Sequence, residues 1–389
     1  MARVLVGLTG SVSVYKAINV IRLLERKGHD VRVVLTPSVG KFLSPLLIKS
    51  LAKGEVYTDE DLWNAHGSLH IDLAKWADLL VIVPCTANTL SKLRYSLADN
   101  LLTLVCAAFK GPLVIAPAMH SEMWLNPEIQ NIVDYLKENR NVFFSGPEKG
   151  ELASGEVGCG RLLREDYILE DIEAVINGAP LKGVNVLVVY GRTEEPLDPV
   201  RVITNRSSGL MGFYLSKAVT ELGGDLMQIV GETSIEPYGR GEVVRVRTSS
   251  EMLDAVKREV SNAKVLIMAA AVSDYAPVET SSEKLKKKET MIITLRETKD
   301  ILREISPLKR EDQIFVGFAL ESVDLEKYAK EKMEKKKVDI IVANYTNSMG
   351  SETISGFILD RNGNKDEFSN LRKEEFAHIL LKKVAVFVK

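Results

Sequence analysis

The sequence predicts an α/β protein made of two doubly wound, mainly parallel-sheet domains. Three observations predict it. The chain has 389 residues, more than one ordinary core accommodates, so two domains are expected. Short continuous apolar runs alternate with amphipathic stretches, the pattern of parallel strands buried on both faces with helical crossovers. That alternation breaks once, at the Gly/Pro-rich "NGAPLKG" of residues 177–183, and then begins again. The domains are therefore placed at residues 1–177 and 183–389.

In the first domain "ARVLVGLT", "DVRVVLT", "ADLLVIVP", "PLVIAP" and "NVFFSG" read as buried strands. The amphipathic stretches between them predict helices over 14–27, 86–93, 97–109 and 128–139. In the second domain the strands are "VNVLVVYG", "GDLMQIVG", "EVVRVR", "AKVLIMAAA", "QIFVGFAL" and "VDIIVANY". Helices are expected over 208–222, 249–262, 300–306 and 325–336. "LDRNGNKDEFS" carries an Asn-Gly turn between extended flanks and predicts a hairpin. A last helix runs from residue 373 to about 384. Ligands in such folds sit at the carboxyl ends of the strands.

Composition narrows the function. Apolar residues make up 46% and charged residues 27%, and the net charge is −2. Nothing global favours nucleic acid or an anionic membrane. No apolar run approaches the roughly 18 residues a membrane span needs. "MARVLVGLTG" reads as a buried strand rather than a signal peptide. The three cysteines, Cys85, Cys106 and Cys159, argue against a disulfide framework and for a reducing cytoplasm. No Cys or His spacing resembles a zinc site. Three glutamines among abundant Lys and Glu is a balance also met in proteins of hot environments.

The chemistry-bearing residues cluster at strand ends. "VGLTGSVSVYK" is strand, small-residue turn, then helix. Gly10, Ser11 and Ser13 there suit a phosphate at a helix N-terminus, or form an ordinary strand-to-helix turn. It is neither a Walker loop nor G-x-G-x-x-G. Thr36 and Ser38 follow the second strand. Thr86, Asn88 and Thr89 follow the next, and Asn100 opens a further helix. Helix capping accounts for each singly, and a polar cofactor pocket accounts for their clustering. A lone histidine is more often structural, but His70 precedes a short amphipathic segment rather than lying inside an apolar strand. Met119 and His120 follow "PLVIAP".

"GLTGSVSVYK", "HIDLAKWADLLVIVPCTANTLSKL", "LADNLL" and "PAMH" together resemble the FMN-binding cysteine decarboxylases, in the same order and over nearly all of residues 1–175. The resemblance implies a flavodoxin-like FMN domain. A flavin oxidises the substrate thiol, which lets carbon dioxide leave, and the hydride is then returned, so the protein supplies placement. Ser11 and its neighbouring hydroxyls would hold the FMN phosphate. Thr86, Asn88 and Thr89 would line the flavin, and His70 would be the catalytic histidine. Two positions depart from the pattern. His120 stands where the family has a carboxylate-binding Asn, and an imidazole can also serve an anion. Ser154, in "LASGEVGCGR", stands where the family has its proton-donating Cys, and a hydroxyl is a far weaker acid than a thiol of pKa about 8.5. Cys159, five residues on, is then a displaced donor, or inert with another acid acting, or the reductive half is impaired.

In the second domain "GRTEEPLDPVRVITNRSSGLMG" again opens a helix with a Gly/Ser turn, carrying Asn205, Ser207, Ser208 and Gly209, with Arg192, Arg201 and Arg206 nearby. "AAAVSDYAP" ends a later strand with Asp274, a metal or base contact. "SSEKLKKK" alone would be a solvated lysine face. These stretches resemble the phosphopantothenate–cysteine ligases over about residues 183–385. The resemblance implies a nucleotide-binding ligase domain that uses CTP to activate a carboxylate as an acyl-cytidylate, which cysteine then attacks. Asn205 and Arg201 would handle the acyl-nucleotide and the attack, and Lys284 would neutralise the triphosphate. Ser207, Ser208, Gly209, Asp274 and Phe318 would contact the nucleotide. Mg²⁺, with Asp274 as its ligand, would offset phosphate charge.

Decarboxylase followed by ligase resembles the bifunctional coenzyme A biosynthesis enzymes. That implies 4′-phosphopantothenate, cysteine and CTP as substrates, FMN as cofactor and a cytoplasmic homo-oligomer. Its flavin domains would form trimers and its ligase domains dimers, up to a dodecamer. Two rivals stand beside it: a monofunctional ligase with a vestigial flavin domain, and a non-catalytic regulatory flavoprotein.

Overall fold

A computed structural model describes residues 1–64, 67–287, 289–321, 331–333, 335–345 and 351–388. The chain forms two compact units, Met1–Gly178 and Ala179–Lys389.

The sheet of the first unit comprises β1 (Arg3–Leu8), β2 (Asp30–Leu35), β3 (Val56–Tyr57), β4 (Leu79–Cys85), β5 (Leu113–Pro117) and β6 (Val142–Phe144). Its order is β3-β2-β1-β4-β5-β6, with every neighbour pair parallel. The register sets Val4 beside Val31 and Val6 beside Val33. Alternation then sends Val4, Val6 and Leu8 to one core layer and Leu5, Leu80 and Ile82 to the other. Both faces are covered, so β4 is buried at every position.

An antiparallel hairpin of β7 (Glu148–Glu151) and β8 (Val157–Arg161) follows. It lies outside the sheet and was not among the expected elements. The helix Glu165–Ile176 was also not expected. It starts without a side-chain cap, and its buried Tyr167, Ile168, Leu169 and Ile172 supply its reason to form.

The second unit repeats the winding. Its main sheet orders β13 (Glu242–Arg245), β12 (Asp225–Val230), β9 (Asn185–Tyr190), β14 (Val265–Met268), β17 (Ile314–Glu321), β18 (Ile340–Tyr345), β19 (Thr353–Asp360) and β20 (Lys365–Arg372). The first six run parallel and the last two turn antiparallel. β19 and β20 are the hairpin expected around "RNG". Asp360 accepts the backbone N–H of Asn362 and Asn364, both at 3.0 Å, and Gly363 takes a left-handed φ of 84°. Two short antiparallel ribbons, β10 (Glu194–Pro196) with β11 (Val202–Thr204) and β15 (Tyr275–Pro277) with β16 (Leu295–Glu297), stand apart from the sheet.

Helix ends moved where side chains claim the backbone. The helix expected over 97–109 begins at Leu101, because Asn100 and Thr103 form a capping box. The closing helix runs Lys373–Val388, beyond the expected 384. Part of the helix expected over 325–336 lies outside the described residues. Of it, 331–333, 335 and 336 are helical.

Candidate functional sites

In the first unit, strand order reverses between β1 and β4, which opens a crevice at their carboxyl ends. Buried Thr9 ties those ends together. Its Oγ1 donates to the Pro84 carbonyl at 2.7 Å and accepts the Thr86 N–H at 3.2 Å. The turn then offers Ser11 and Ser13, whose hydroxyls lie 3.0 Å apart. Ser13 precedes the helix Val14–Arg26, and its side chain makes no cap hydrogen bond. Thr36 Oγ1 donates to the Leu8 carbonyl at 3.2 Å and lies 3.1 Å from Ser38 Oγ. Position 10 has to be glycine, since a Cβ there would stand 2.5 Å from Ser38 Oγ.

A cavity of about 510 Å³ opens here, and Ser11, Ser13, Lys16, Met119, His120, Ser154 and Arg161 are on its wall. The β7–β8 hairpin forms one side. Met119 donates its N–H to the Gly160 carbonyl at 3.0 Å. Gly160, at φ 142°, could carry no Cβ, which would stand 2.2 Å from the Met119 carbonyl oxygen. His120 caps the helix Ser121–Trp124 through Nδ1, and its Nε2 lies 2.9 Å from Glu156 Oε2.

The structure thus brings Ser11, Ser13, Met119 and His120 to one cavity, with Gly10, Thr36 and Ser38 behind the same turn. Thr86, Asn88, Thr89 and Asn100 do not line it. Thr86 accepts the Thr89 N–H at 3.4 Å, and Asn100 accepts that of Thr103 at 3.0 Å. Both therefore do the capping that the sequence left open. Cys159 is half-buried on β8 opposite Lys149, off the cavity wall, whereas Ser154 is on it. Burial pushes the Cys106 thiol up to about 12 and raises Cys85 as well, so neither is a reactive thiol. His70, in the helix Leu69–Trp76, is not on the cavity wall, and its buried Nδ1 has no hydrogen-bond partner among the described residues. Lys16 and Arg161 were missed. Both sat inside quoted motifs, but spacing alone did not show which way they face.

The second unit has an analogous crevice between β9 and β14. Asn205 Nδ2 donates to the Ala271 and Val272 carbonyls, both at 3.1 Å, lashing the Ser207–Gly209 turn to the end of β14. Gly209 has φ 82°, and a Cβ at Gly212 would stand 2.1 Å from the Tyr190 ring. A cavity of about 420 Å³ gathers Asn205, Ser207, Ser208, Gly209, Asp274 and Phe318. Lys332, Asn344 and Lys373 also line it, and none of these three was foreseen. Among the described residues no three His, Cys, Asp or Glu side chains converge as a metal site.

Arg201 and Lys284 do not line this cavity. Arg201 Nη1 donates to Asp198 at 2.8 Å and to the Leu285 carbonyl at 3.1 Å. Burial would raise the Asp198 carboxyl, but N–H donors of Val200, Leu285 and Arg201, with the Arg201 charge, hold it below the usual range. Asp198 therefore fastens the segment bearing exposed Lys284 to the turn bearing Arg201.

Two doubly wound units, each with a small-residue turn at its switch point, define a two-domain α/β protein with a ligand crevice in each unit. Residues 1–177 match the family model described as Flavoprotein, and 181–387 match the DNA/pantothenate metabolism flavoprotein C-terminal domain. The coenzyme A biosynthesis bifunctional protein of Bacillus subtilis (strain 168) is 36% identical over 99% of this chain and 97% of its own. That of Borreliella burgdorferi is 34% identical over 97% and 98%. A solved PPC decarboxylase mutant, complexed with pantothenoylaminoethenethiol, is 36% identical over 45% of this chain and 98% of its own, with a TM-score of 0.42. The chain belongs to the family of coenzyme A biosynthesis bifunctional proteins. It is an enzyme with a decarboxylase half and a ligase half.

Proposed function

We propose that the second unit joins 4′-phosphopantothenate to cysteine at the expense of CTP, and that the first unit decarboxylates the product to 4′-phosphopantetheine. The observation that carries this is the pair of cavities. One collects Ser11, Ser13, Met119 and His120 at the end of β1, and the other collects Asn205, Ser207, Ser208 and Asp274 at the end of β9.

The donor set of the first cavity fits FMN. Two hydroxyls and the Lys16 ammonium suit a phosphate monoester at a helix start, and a volume of about 510 Å³ suits a small-molecule site. When bound, FMN would supply the hydride acceptance and return that decarboxylation needs. Ser11 and Ser13 would hold the phosphate, and His120 with Met119 would orient the substrate carboxylate, while Thr86, Asn88 and Thr89 lie off this cavity wall. His70 would be the histidine of the thiol-oxidation step, and because its Nδ1 is buried a substrate would meet the ring at Nε2. Since His70 does not line the cavity of its own chain, assembly of copies into a trimer would complete the site.

In the second cavity Ser207, Ser208, Gly209 and Phe318 hold the nucleotide. Asp274 would hold Mg²⁺ together with the phosphates, an arrangement in which one carboxylate suffices. Asn205 would orient the acyl group, and Arg201 and Lys284, whose segments Asp198 fastens together off this cavity wall, would serve the acyl group and the phosphate charge.

Ser154 and His120 support a second reading, a ligase with a vestigial flavin unit. One experiment separates the two. The purified chain is assayed for bound flavin, supplied with 4′-phosphopantothenate, cysteine and CTP, and its products are weighed by mass spectrometry. Carbon dioxide and 4′-phosphopantetheine support the bifunctional reading. Product halted at 4′-phosphopantothenoylcysteine supports the vestigial one.

A further inference from the structure

We infer that Arg192 is a further positioning residue of the ligase site: its guanidinium holds the Ser207 carbonyl and so keeps the nucleotide-binding turn open to phosphate. This rests on the ligase reading above.

Arg192 follows Tyr190, the last residue of β9, by two positions. Its backbone is fixed from both sides. The Arg192 N–H donates to the Glu232 carbonyl at 3.0 Å, and the Arg192 carbonyl accepts the Glu232 N–H at 2.8 Å. On the other side Thr193 donates its N–H to the Ala271 carbonyl at 3.3 Å, past the end of β14. A Cβ at Gly231 would stand 2.4 Å from the Arg192 carbonyl oxygen, so the two backbones meet with no room for a side chain between them. The arginine side chain therefore starts from a rigid point. Its Nη1 donates to the Ser207 carbonyl at 3.0 Å, and its Nη2 lies 3.8 Å from Glu194 Oε1.

Ser207 lines the 420 Å³ cavity and Arg192 does not, so the arginine acts through the turn. A peptide carbonyl that faces an anion repels it, whereas N–H groups and hydroxyls attract it. The carbonyls of Ser207, Ser208 and Gly209 are all taken up by the protein. Arg192 takes the first, the Ser234 N–H the second at 3.1 Å, and the Phe213 N–H the third at 3.1 Å. Arg192 is the one charged donor of the three. Asn205 ties the start of the turn to the end of β14, and Arg192 ties its middle to the end of β9. Together they fix which way Ser207 faces. The helix Leu210–Glu221 then starts at Gly209, which has no side chain to cap it, so a phosphate can take that place.

The test uses the full chain with Arg192→Met and Arg192→Lys. Methionine keeps much of the stem and removes the donor. The Arg192 side chain is 22% exposed, so water can reach the freed Ser207 carbonyl. Thermal unfolding should stay within about 4 °C of the wild type, and the decarboxylation rate should not change. The KM for CTP should rise about 10-fold, the low end for one hydrogen bond to a charged group because the effect passes through the turn, while the KM for cysteine holds. Arg192→Lys keeps a charged donor and should recover part of the loss. A wild-type KM for CTP in Arg192→Met overturns the inference. So does a loss shared equally by all the substrates, and so does a lysine variant no better than methionine. Where Arg192→Met does not fold, the lysine variant decides: a KM for CTP raised a few-fold at an unchanged melting temperature supports the role, and a wild-type KM removes it. A wild-type chain that ligates nothing overturns the ligase reading instead. Titration calorimetry with inorganic triphosphate then still decides: weaker binding by Arg192→Met supports the role, and equal binding removes it.

Discussion

His120 Nε2 lies 2.9 Å from Glu156 Oε2 and so joins the turn after β5 to the β7–β8 hairpin that walls the first cavity. The side chains are 36% and 69% exposed, so the pair is a weak latch, worth about 1 kcal/mol or less. Glu156 offers His120 a carboxylate, the same group the substrate would bring. Glu156→Gln should leave the melting temperature within about 4 °C and lower the KM for 4′-phosphopantothenoylcysteine a few-fold. A raised KM would mean that Glu156 helps to hold substrate rather than competing with it.

The hairpin also separates Ser154 from Cys159. Ser154 lines the cavity and Cys159 does not, so Cys159 would serve as proton donor only if the hairpin moved. Cys159→Ser should still release saturated 4′-phosphopantetheine. Ser154→Cys, which puts a thiol of pKa about 8.5 on the wall, should release it faster. Mass spectrometry reads both. A product two hydrogens lighter from Cys159→Ser would return the donor role to Cys159.

His70→Asn should abolish bleaching of the flavin absorbance when substrate is added under anaerobic conditions. The ring nitrogen Nε2 is the group lost, since the Asn amide takes the place of Nδ1. Bleaching at the wild-type rate would take His70 out of the reaction.

Lys284→Ala should cut ligation by two orders of magnitude or more, the scale of a lost electrostatic contact in a transition state, and leave decarboxylation intact. Its segment is held by Asp198, which accepts the Leu285 N–H at 3.1 Å. Asp198→Asn should therefore impair ligation too, while Lys284 is still present. A simultaneous loss of both activities in a folded Lys284→Ala chain would contradict two independent sites.

His378 Nε2 lies 2.8 Å from Glu221 Oε2, joining the closing helix to Leu210–Glu221. The Glu221 hydrogen bond raises the His378 pKa above its usual value. Burial and Lys217 oppose the rise, and the Glu374 carbonyl supports it. A raised folded pKa stabilises the fold fully below the unfolded value of about 6.5, and that stabilisation fades as pH climbs through the folded value. Unfolding of the second unit should thus come earlier at pH 8.5 than at pH 6, and the difference should shrink in His378→Gln. Equal pH slopes would assign the dependence to other groups.

Much of this was legible in the chain itself. Within "ADLLVIVP" the run from Leu79 onward is apolar at every position because β4 is covered on both faces, and the Ser11 and Ser207 turns carry their chemistry in consecutive residues. Such features are local, so one-dimensional pattern suffices to read them. The tertiary structure decided what depends on distant segments meeting. It set Ser154 on a cavity wall and Cys159 off it, because hairpin register fixes which way each side chain points. It drew Thr86 and Asn100 into capping, and it fastened Lys284's segment to Asp198 across more than eighty residues. It also buried Lys373 in a cavity built from the other end of its domain. In sequence Lys373 is one lysine among many, and only the packing of its helix against the sheet buries it.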